Sequence, residues 1–406
     1  MRRGTPEFEK LRRERAPVAV RVDIVVAGQQ VASTHSTDPR RRFQIASTGI
    51  DLSSEGGPLT YPTLEQDAAA NVATSIQTLQ ILADGDDLEW FVPGDMWHPL
   101  APVNVAELHI GFGYQTEGVE EFLPAAVAQI DELRADDHGD GLMVEIDVYD
   151  RAQPLEDATI WHPLSIPAGS NIPQIIEEQL HAVYPSLRLV APTISTGTEQ
   201  LEIEEGKSRG ELIRDLARAV GHVFMFDADG TPRLVPPPSS NAEPVLTVQR
   251  GDGSMLSCCR RLSRRGVFNG AIFRGETTLG ADEEGETPTP LYAEAWADHL
   301  PGHPLAYTQS QAAARAPGAF PYVQTVQTLA DQNSVQIATR RAANLLALQP
   351  EFVSVTIPPE PGLELFDPIQ IESPSNKVSG LFTVGVMSRP LGVGWTHVGC
   401  NERRIT

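Results

Sequence analysis

Apolar residues recur along this chain with two different periods, and the switches between them mark the predicted elements. Near the start Val18, Val20, Val22 and Ile24 alternate, and Ala27-Gly28 supplies the turn of a β-hairpin. Another strand is predicted near residues 76–82, with Asp84-Gly85 as a turn. Residues 125–137 have helical propensity. The alternation that follows, Leu142, Val144, Ile146 and Val148 against Met143, Glu145, Asp147 and Tyr149, favours a hairpin turning between His138 and Gly141. The 3.6-residue period takes over in the middle of the chain. Ile172, Ile175, Ile176 and Leu180 share one helical face, with Asn171 at the cap and Pro173 in the first turn. Ser208 caps a second helix bearing Leu212, Ile213, Leu216, Ala217 and Val220 and ended by Gly221. The hairpin after it turns at Asp229-Gly230.

A third helix is predicted from Val335, Ala338, Ala342, Leu345 and Leu346, capped by Asn333 or Ser334 and stopped by Pro350. Val353, Val355 and Ile357 then alternate on one face. A Pro-rich break at 358–362, a second alternating run from Leu363, a turn and a return run over 381–388 make a β-meander. A helix leading into a meander gives a small barrel or sandwich with the helix laid on it. Residues 236–244 read as the clearest linker, and 276–290 as an acidic, Thr/Pro-rich loop.

Length and charge narrow the classes. A chain of 406 residues is too long for one ordinary core, so two to four domains are expected. Plentiful Pro and Gly, 33 of each, favour β structure with many turns. No apolar run approaches the ~18 residues of a membrane-spanning helix. The charged start, MRRGTPEFEKLRRER, lacks the apolar segment of a signal peptide and could form a short helix. Three cysteines, two of them adjacent, make no disulfide framework and fit folding in a reducing cytoplasm. A formal charge of −23 argues against a nucleic-acid-binding surface. Basic residues cluster in 1–15, 40–42 and 260–265; these could touch acidic partners, but solvated faces are the simpler reading. A channel wall of the same sign as DNA would let the duplex pass without sticking.

The run Leu363-Glu364-Leu365-Phe366-Asp367-Pro368-Ile369-Gln370-Ile371, with the helix and extended strand before it, resembles the C-terminal half of tailed-phage baseplate hub, or tail-tip, proteins. Many members carry Gly before that Asp; here the residue is Phe366. The strand–turn–strand over 107–124 around Glu117-Gly118 is similar to that family, as are Asp150-Arg151 after the last strand of the first unit and the strand over 269–275. The order of these pieces carries the resemblance over roughly 17–404. It implies a mainly β chain with an α+β part: an N-terminal arm (1–16), a first β-barrel (17–160), an α+β domain (161–243), and a discontinuous second barrel (244–276 and 351–406). Residues 277–350 would be a loop and helix excursion.

No constellation of reactive residues rises above its structural reading. Asp136-Asp137-His138-Gly139-Asp140-Gly141 with Asp147 partly mimics a calcium loop, but His138 stands at a ligand position and a strand follows, so a polar turn is expected. Asp227-Ala228-Asp229-Gly230 is shorter still. His299 and His303 are separated by Pro301 and Gly302, which rules out a helical zinc pair. Cys258 and Cys259 are too close to chelate together; one is expected in the core and one outside. Cys258, Cys259 or Cys400 with one of ten histidines could compose a peptidase on paper, without supporting spacing. Glu120-Glu121 and Glu204-Glu205 carry no glycosidase signal, and Gly111-Phe112-Gly113 reads as a strand end. No catalytic, cofactor-binding or metal-binding residues are expected, and no cofactor.

The resemblance implies a structural role as a homotrimer in the virion tail tip, made in the host cytoplasm. Two barrels per subunit would give a pseudo-sixfold ring. Implied neighbours are the distal tail protein, the tail-tube end, the tape-measure C-terminus and a central fibre or spike, with DNA in transit through the lumen. The alternatives are a tail-associated cell-wall hydrolase or peptidase and a receptor-binding module. A chain ending at the second barrel and poor in aromatic clusters favours neither.

Overall fold

The computed structural model describes residues 4–13, 18–26, 28–35, 44–47, 63–67, 73–82, 92–95, 98, 100–101, 106–116, 119–138, 141–194, 200–220, 222–236, 243–262, 270–275, 291–296, 321–326, 332, 335–337, 339–340, 343, 351–390 and 395–402. The fold is mainly β, with an α+β part between two curled β units. Helix α1 (Pro6–Arg13) precedes the first unit. That unit holds β1 (Ala19–Val26), β2 (Gln29–His35), β3 (Gln44–Ser47), β4 (Thr63–Asp67), β5 (Ala73–Leu82), β6 (Glu107–Thr116), β7 (Val119–His138) and β8 (Gly141–Asp150). Antiparallel ladders run β2-β1-β6-β7-β8-β5, and β5 also pairs β4 and β3.

Alternation sets the core of this unit. Val20, Val22 and Ile24 of β1 meet Leu108, Ile110 and Phe112 of β6 and Ile146 and Val148 of β8. The 125–137 stretch is strand rather than helix, as the downstream alternation predicts, and His138 pairs Gly141 across the turn. A Cβ on Gly113 would collide with the Glu121 carbonyl oxygen, so the glycine lets β7 approach β6 beside buried Phe112.

The α+β unit runs α2 (Gln153–Asp157), β9 (Leu164–Ile166), α3 (Ile172–His181), β10 (Leu201–Ile203), α4 (Arg209–Ala219), β11 (Val223–Phe226) and β12 (Pro232–Val235). Both predicted caps form. The Asn171 side chain accepts from the Gln174 amide at 3.2 Å and the Ser208 hydroxyl from the Glu211 amide at 3.3 Å. The helices bury Ile175, Ile176, Leu180, Leu212, Ile213 and Leu216 against Phe224 and Phe226. Gly230, at φ 78°, makes the β11–β12 turn.

The C-terminal part holds β13 (Leu246–Gln249), β14 (Ser257–Leu262), β15 (Gly270–Gly275), β16 (Tyr292–Trp296), β17 (Pro321–Val326), β18 (Glu351–Ile357), β19 (Pro368–Ser373), β20 (Val378–Pro390) and β21 (Thr396–Glu402). The second β unit has the order β14-β18-β21-β20-β19-β13, with β13 parallel to β19 and the rest antiparallel. Its core includes Val353, Val355, Ile357, Ile369, Ile371 and Val384. Phe366 sits at φ 66°, in the left-handed region that glycine occupies freely. The resemblance placed a glycine at this position in many relatives, and the backbone explains why. The turn is held by Glu364 N–H donating to Asp367 Oδ2 at 2.8 Å and Phe366 N–H donating to the Val384 carbonyl at 2.9 Å.

One expectation needs revision. The strand over 269–275 does not join the second barrel's ladders. β15 instead lies in a separate three-stranded sheet, antiparallel to β16 and parallel to β17. Alternation marks a strand but not its partner. The helix after Gln332 buries Val335, Thr339 and Ala343 against that sheet's Ala271, Phe273 and Ala293. Thr339 is tolerated inside because its hydroxyl donates to the Val335 carbonyl at 2.5 Å. Ala338, Ala342, Leu345, Leu346 and the turns at Asp84-Gly85 and Glu117-Gly118 lie outside the described residues.

The two β units are not separate sheets. β4 of the first pairs β20 of the second, from Val386↔Asp67 to Pro390↔Thr63, so one 14-stranded sheet runs through both.

Candidate functional site

The residues with chemical potential are scattered. Asp136, Asp137 and His138 lie in the β7–β8 ladder. In the β11–β12 turn Asp227 accepts from the Ala228 amide at 2.7 Å and faces Arg233 at 2.7 Å, while Asp229 accepts from the Thr231 amide at 3.0 Å. Cys259 is exposed and Cys258 half-buried against the second core, the division expected of strand neighbours. Cys400 is buried, and burial pushes its thiol well above the usual range. His299 and His303 lie outside the described residues. Among the described residues no cluster of three or more His, Cys, Asp or Glu is placed to hold a metal. None of the described helices is long and apolar enough to cross a membrane.

Polar groups converge at the seams instead. Between the first β unit and the α+β unit, Arg151 follows β8 and grips Glu107 of β6 with two bonds of 2.8 Å. Its third arm donates to the Gly230 carbonyl at 2.6 Å, in the β11–β12 turn. Tyr184 donates to the Arg151 carbonyl at 3.0 Å and to Gln129 at 3.3 Å. Gln129 and His109 also meet the Glu107 carboxylate, at 3.4 and 3.2 Å. Burial raises the Glu107 pKa, but the bonds from His109, Arg151 and Gln129 and the Arg151 charge outweigh it, leaving a value of about 2. Burial keeps Tyr184 protonated far above its ordinary range.

Between the two β units lies α1. Its Phe8 is fully buried and meets Tyr114 of β6 edge-on, ring centres 4.8 Å apart, beside Leu123. Thr5 bonds Glu121 of β7 through its amide at 2.9 Å and its hydroxyl at 2.5 Å. At the other end of the helix Arg12 reaches Glu360 of the second unit at 2.5 Å and Glu9 at 2.9 Å. Close by, Arg389 of β20 is buried and its guanidinium lies 5.1 Å from the centre of the Phe112 ring of β6. Burial lowers its pKa to about 10, offset in part by Glu364, Glu360 and Asp367, so it stays cationic at neutral pH. Phe8 and Thr5 thus anchor α1 on the first unit, while Arg12–Glu360, Arg389–Phe112 and the β4–β20 ladder fasten the two β units to one another.

No protein-family model and no curated protein sequence matches the chain. Solved structures do. A tail protein from Neisseria meningitidis MC58 aligns over 94% of this chain and 96% of its own, with TM-score 0.59 at 11% identity. The fold is that of phage tail proteins. The 43 kDa tail protein of prophage MuSo2 from Shewanella oneidensis aligns over 95% and 98%, with TM-score 0.56 at 12% identity. A chain of the lidded Francisella PdpA–VgrG complex aligns over 98% of this chain and 55% of its own, with TM-score 0.52 at 8% identity. The resemblance read from the sequence thus holds at the level of the fold. The tail-protein fold also gives Asp150-Arg151 a structural meaning: Asp150 accepts from the Ala152 amide at 2.5 Å while Arg151 closes the seam. The seam residues Arg12, Glu360 and Arg389 carried no local signal. α1 carried a weak one, the pair Phe8 and Leu11 in an otherwise charged run.

Proposed function

We propose that the chain is a non-catalytic structural subunit of a phage tail tip, a baseplate hub whose copies close into a homotrimeric ring. The observation that carries this reading is the joining of two curled β units, through β4 and β20, into one 14-stranded sheet within a single chain. Three copies of a two-unit wall give six similar positions around an axis, which suits an adaptor between a sixfold tube and a threefold fibre or spike. The distal tail protein, tube end, tape-measure C-terminus and central fibre or spike are its neighbours in this reading, and DNA crosses the lumen. The chain's formal charge of −23 suits such a conduit. The full-length likeness to tail proteins supports the placement in the virion. Mass photometry of the purified chain tests the assembly. Particles of three chain masses are expected; monomers alone, up to high concentration, contradict the ring.

A further inference from the structure

Trp161 is the most exposed large apolar side chain among the described residues, at 78%. Its position follows from the local pairing. Residues 160–166 run antiparallel to 201–207: the Ile160 amide donates to the Lys207 carbonyl at 2.9 Å, the Gly206 amide to the Ile160 carbonyl at 2.8 Å, and Leu164 faces Ile203. Ile160 and Ile166 turn into the core of the α+β unit, which leaves Trp161 on the solvent side. That side is acidic. Glu202, held by Ser165 at 2.7 Å, and Glu204 and Glu205 are all exposed, as is Asp157. Lys207, whose carbonyl accepts from the Ile160 amide, is engaged with Asp215 at 2.9 Å.

The second β unit presents the complement. Leu256, just before β14, is 52% exposed. The Arg250 guanidinium donates to the Leu256 carbonyl at 3.4 Å, and that of Arg260 to the Lys377 carbonyl at 3.4 Å. Arg261 and Lys377 are exposed. Asp252, bonded to Ser254, and Glu372, bonded to Gln370, are the acids of this corner. In a chain with 54 acidic and 31 basic residues, cations gathered around an exposed leucine stand out. At the edge of β14, Asn376 donates to the Cys258 carbonyl at 2.6 Å. A partner therefore meets side chains here rather than extending the sheet.

We propose that the Trp161 ribbon of one copy docks on the Leu256 corner of a second copy. An exposed tryptophan among acids and an exposed leucine among bases are matched in both polarity and charge. Because the two patches differ, the contact is head-to-tail, the kind that closes into a ring when the rotation allows. The inference rests on the ring reading above and assigns one of its contacts.

The test uses the full chain and two variants, Trp161→Ala/Glu204→Gln/Glu205→Gln and Leu256→Ala/Arg261→Gln/Lys377→Gln. Unchanged circular dichroism and thermal unfolding show that each is folded. Each variant alone is expected to associate about thirtyfold more weakly than wild type. Mixed, they restore one contact, so the mixture yields dimers and no closed ring. As an independent readout, benzoylphenylalanine replacing Trp161 should photo-cross-link to a peptide holding residues 250–261 of another copy. Wild-type trimers with equally trimeric variants, or a cross-link to another part of the chain, overturn this contact and leave the ring standing. A wild-type chain that never associates overturns both.

Discussion

Glu107 and Glu360 are both half-buried carboxylates that meet an arginine from a distant stretch of chain, and their charged forms fare in opposite ways. Glu107 receives Arg151 through two bonds, with Gln129 and His109 beside them, and its pKa falls to about 2. Glu360 receives Arg12 and the Gly362 amide but also faces Glu9. Burial dominates there, and its pKa rises. The same ion pair thus stabilises one seam and strains the other, because the number of donors decides whether a desolvated carboxylate is compensated. The seam to the α+β unit is a fixed clamp. The seam between the β units draws more on the β4–β20 ladder and the Arg389–Phe112 contact than on its ion pair.

The largest effect is expected from Arg151→Ala, which strips the clamp and leaves Glu107 buried without its main partner. A loss of about 3 kcal/mol in urea unfolding is expected, with earlier proteolysis between the first β unit and the α+β unit. An unchanged midpoint would remove the distinction between the seams. The pH dependence comes next. The Glu107 pKa is depressed from 4.5 to about 2, so its contribution is present above pH 4.5 and is lost as pH falls towards 2. Allowing for partial exposure, wild type should lose about 2 kcal/mol relative to Glu107→Gln across that window. The raised Glu360 has the reverse sign: its contribution is present at low pH and lost as pH rises through its folded value. Wild type should therefore weaken relative to Glu360→Gln on going from acid to neutral pH. Difference curves of the same slope would contradict the comparison.

Smaller effects probe the turn that ends the loop carrying Glu360. Phe366→Val puts a β-branched residue at φ 66° and should lower stability by about 2 kcal/mol. Phe366→Gly relieves the strain and forfeits a half-buried ring, so thermal unfolding should place it within about 1 kcal/mol of wild type. The smallest change is expected from Glu360→Gln at pH 7, under about 1 kcal/mol, because Arg12 keeps Glu9 at 2.9 Å.

Local elements were legible in the sequence and their long-range partners were not. Asn171 and Ser208 announce their helices because a cap is written within four residues. Val353, Val355 and Ile357 announce a strand because its face is apolar. β4, TLEQD, shows no such face, so nothing in it foretells the ladder to β20 that joins the two β units. Arg151 was noticeable only through the family resemblance. Phe366 was visible as a departure whose meaning, a left-handed backbone, required coordinates. Thr339 entered an apolar stripe because its hydroxyl is satisfied within its own helix, which periodicity does not register.

Single-particle electron microscopy of the purified chain, reconstructed without imposed symmetry, tests the two-unit ring directly. A closed ring of three copies around an open hole is expected, with six β units in the wall and each pair from one chain continuous through β4 and β20. A ring with one β unit per copy at the lumen, or a pair of β units that separate and tumble independently, would contradict it.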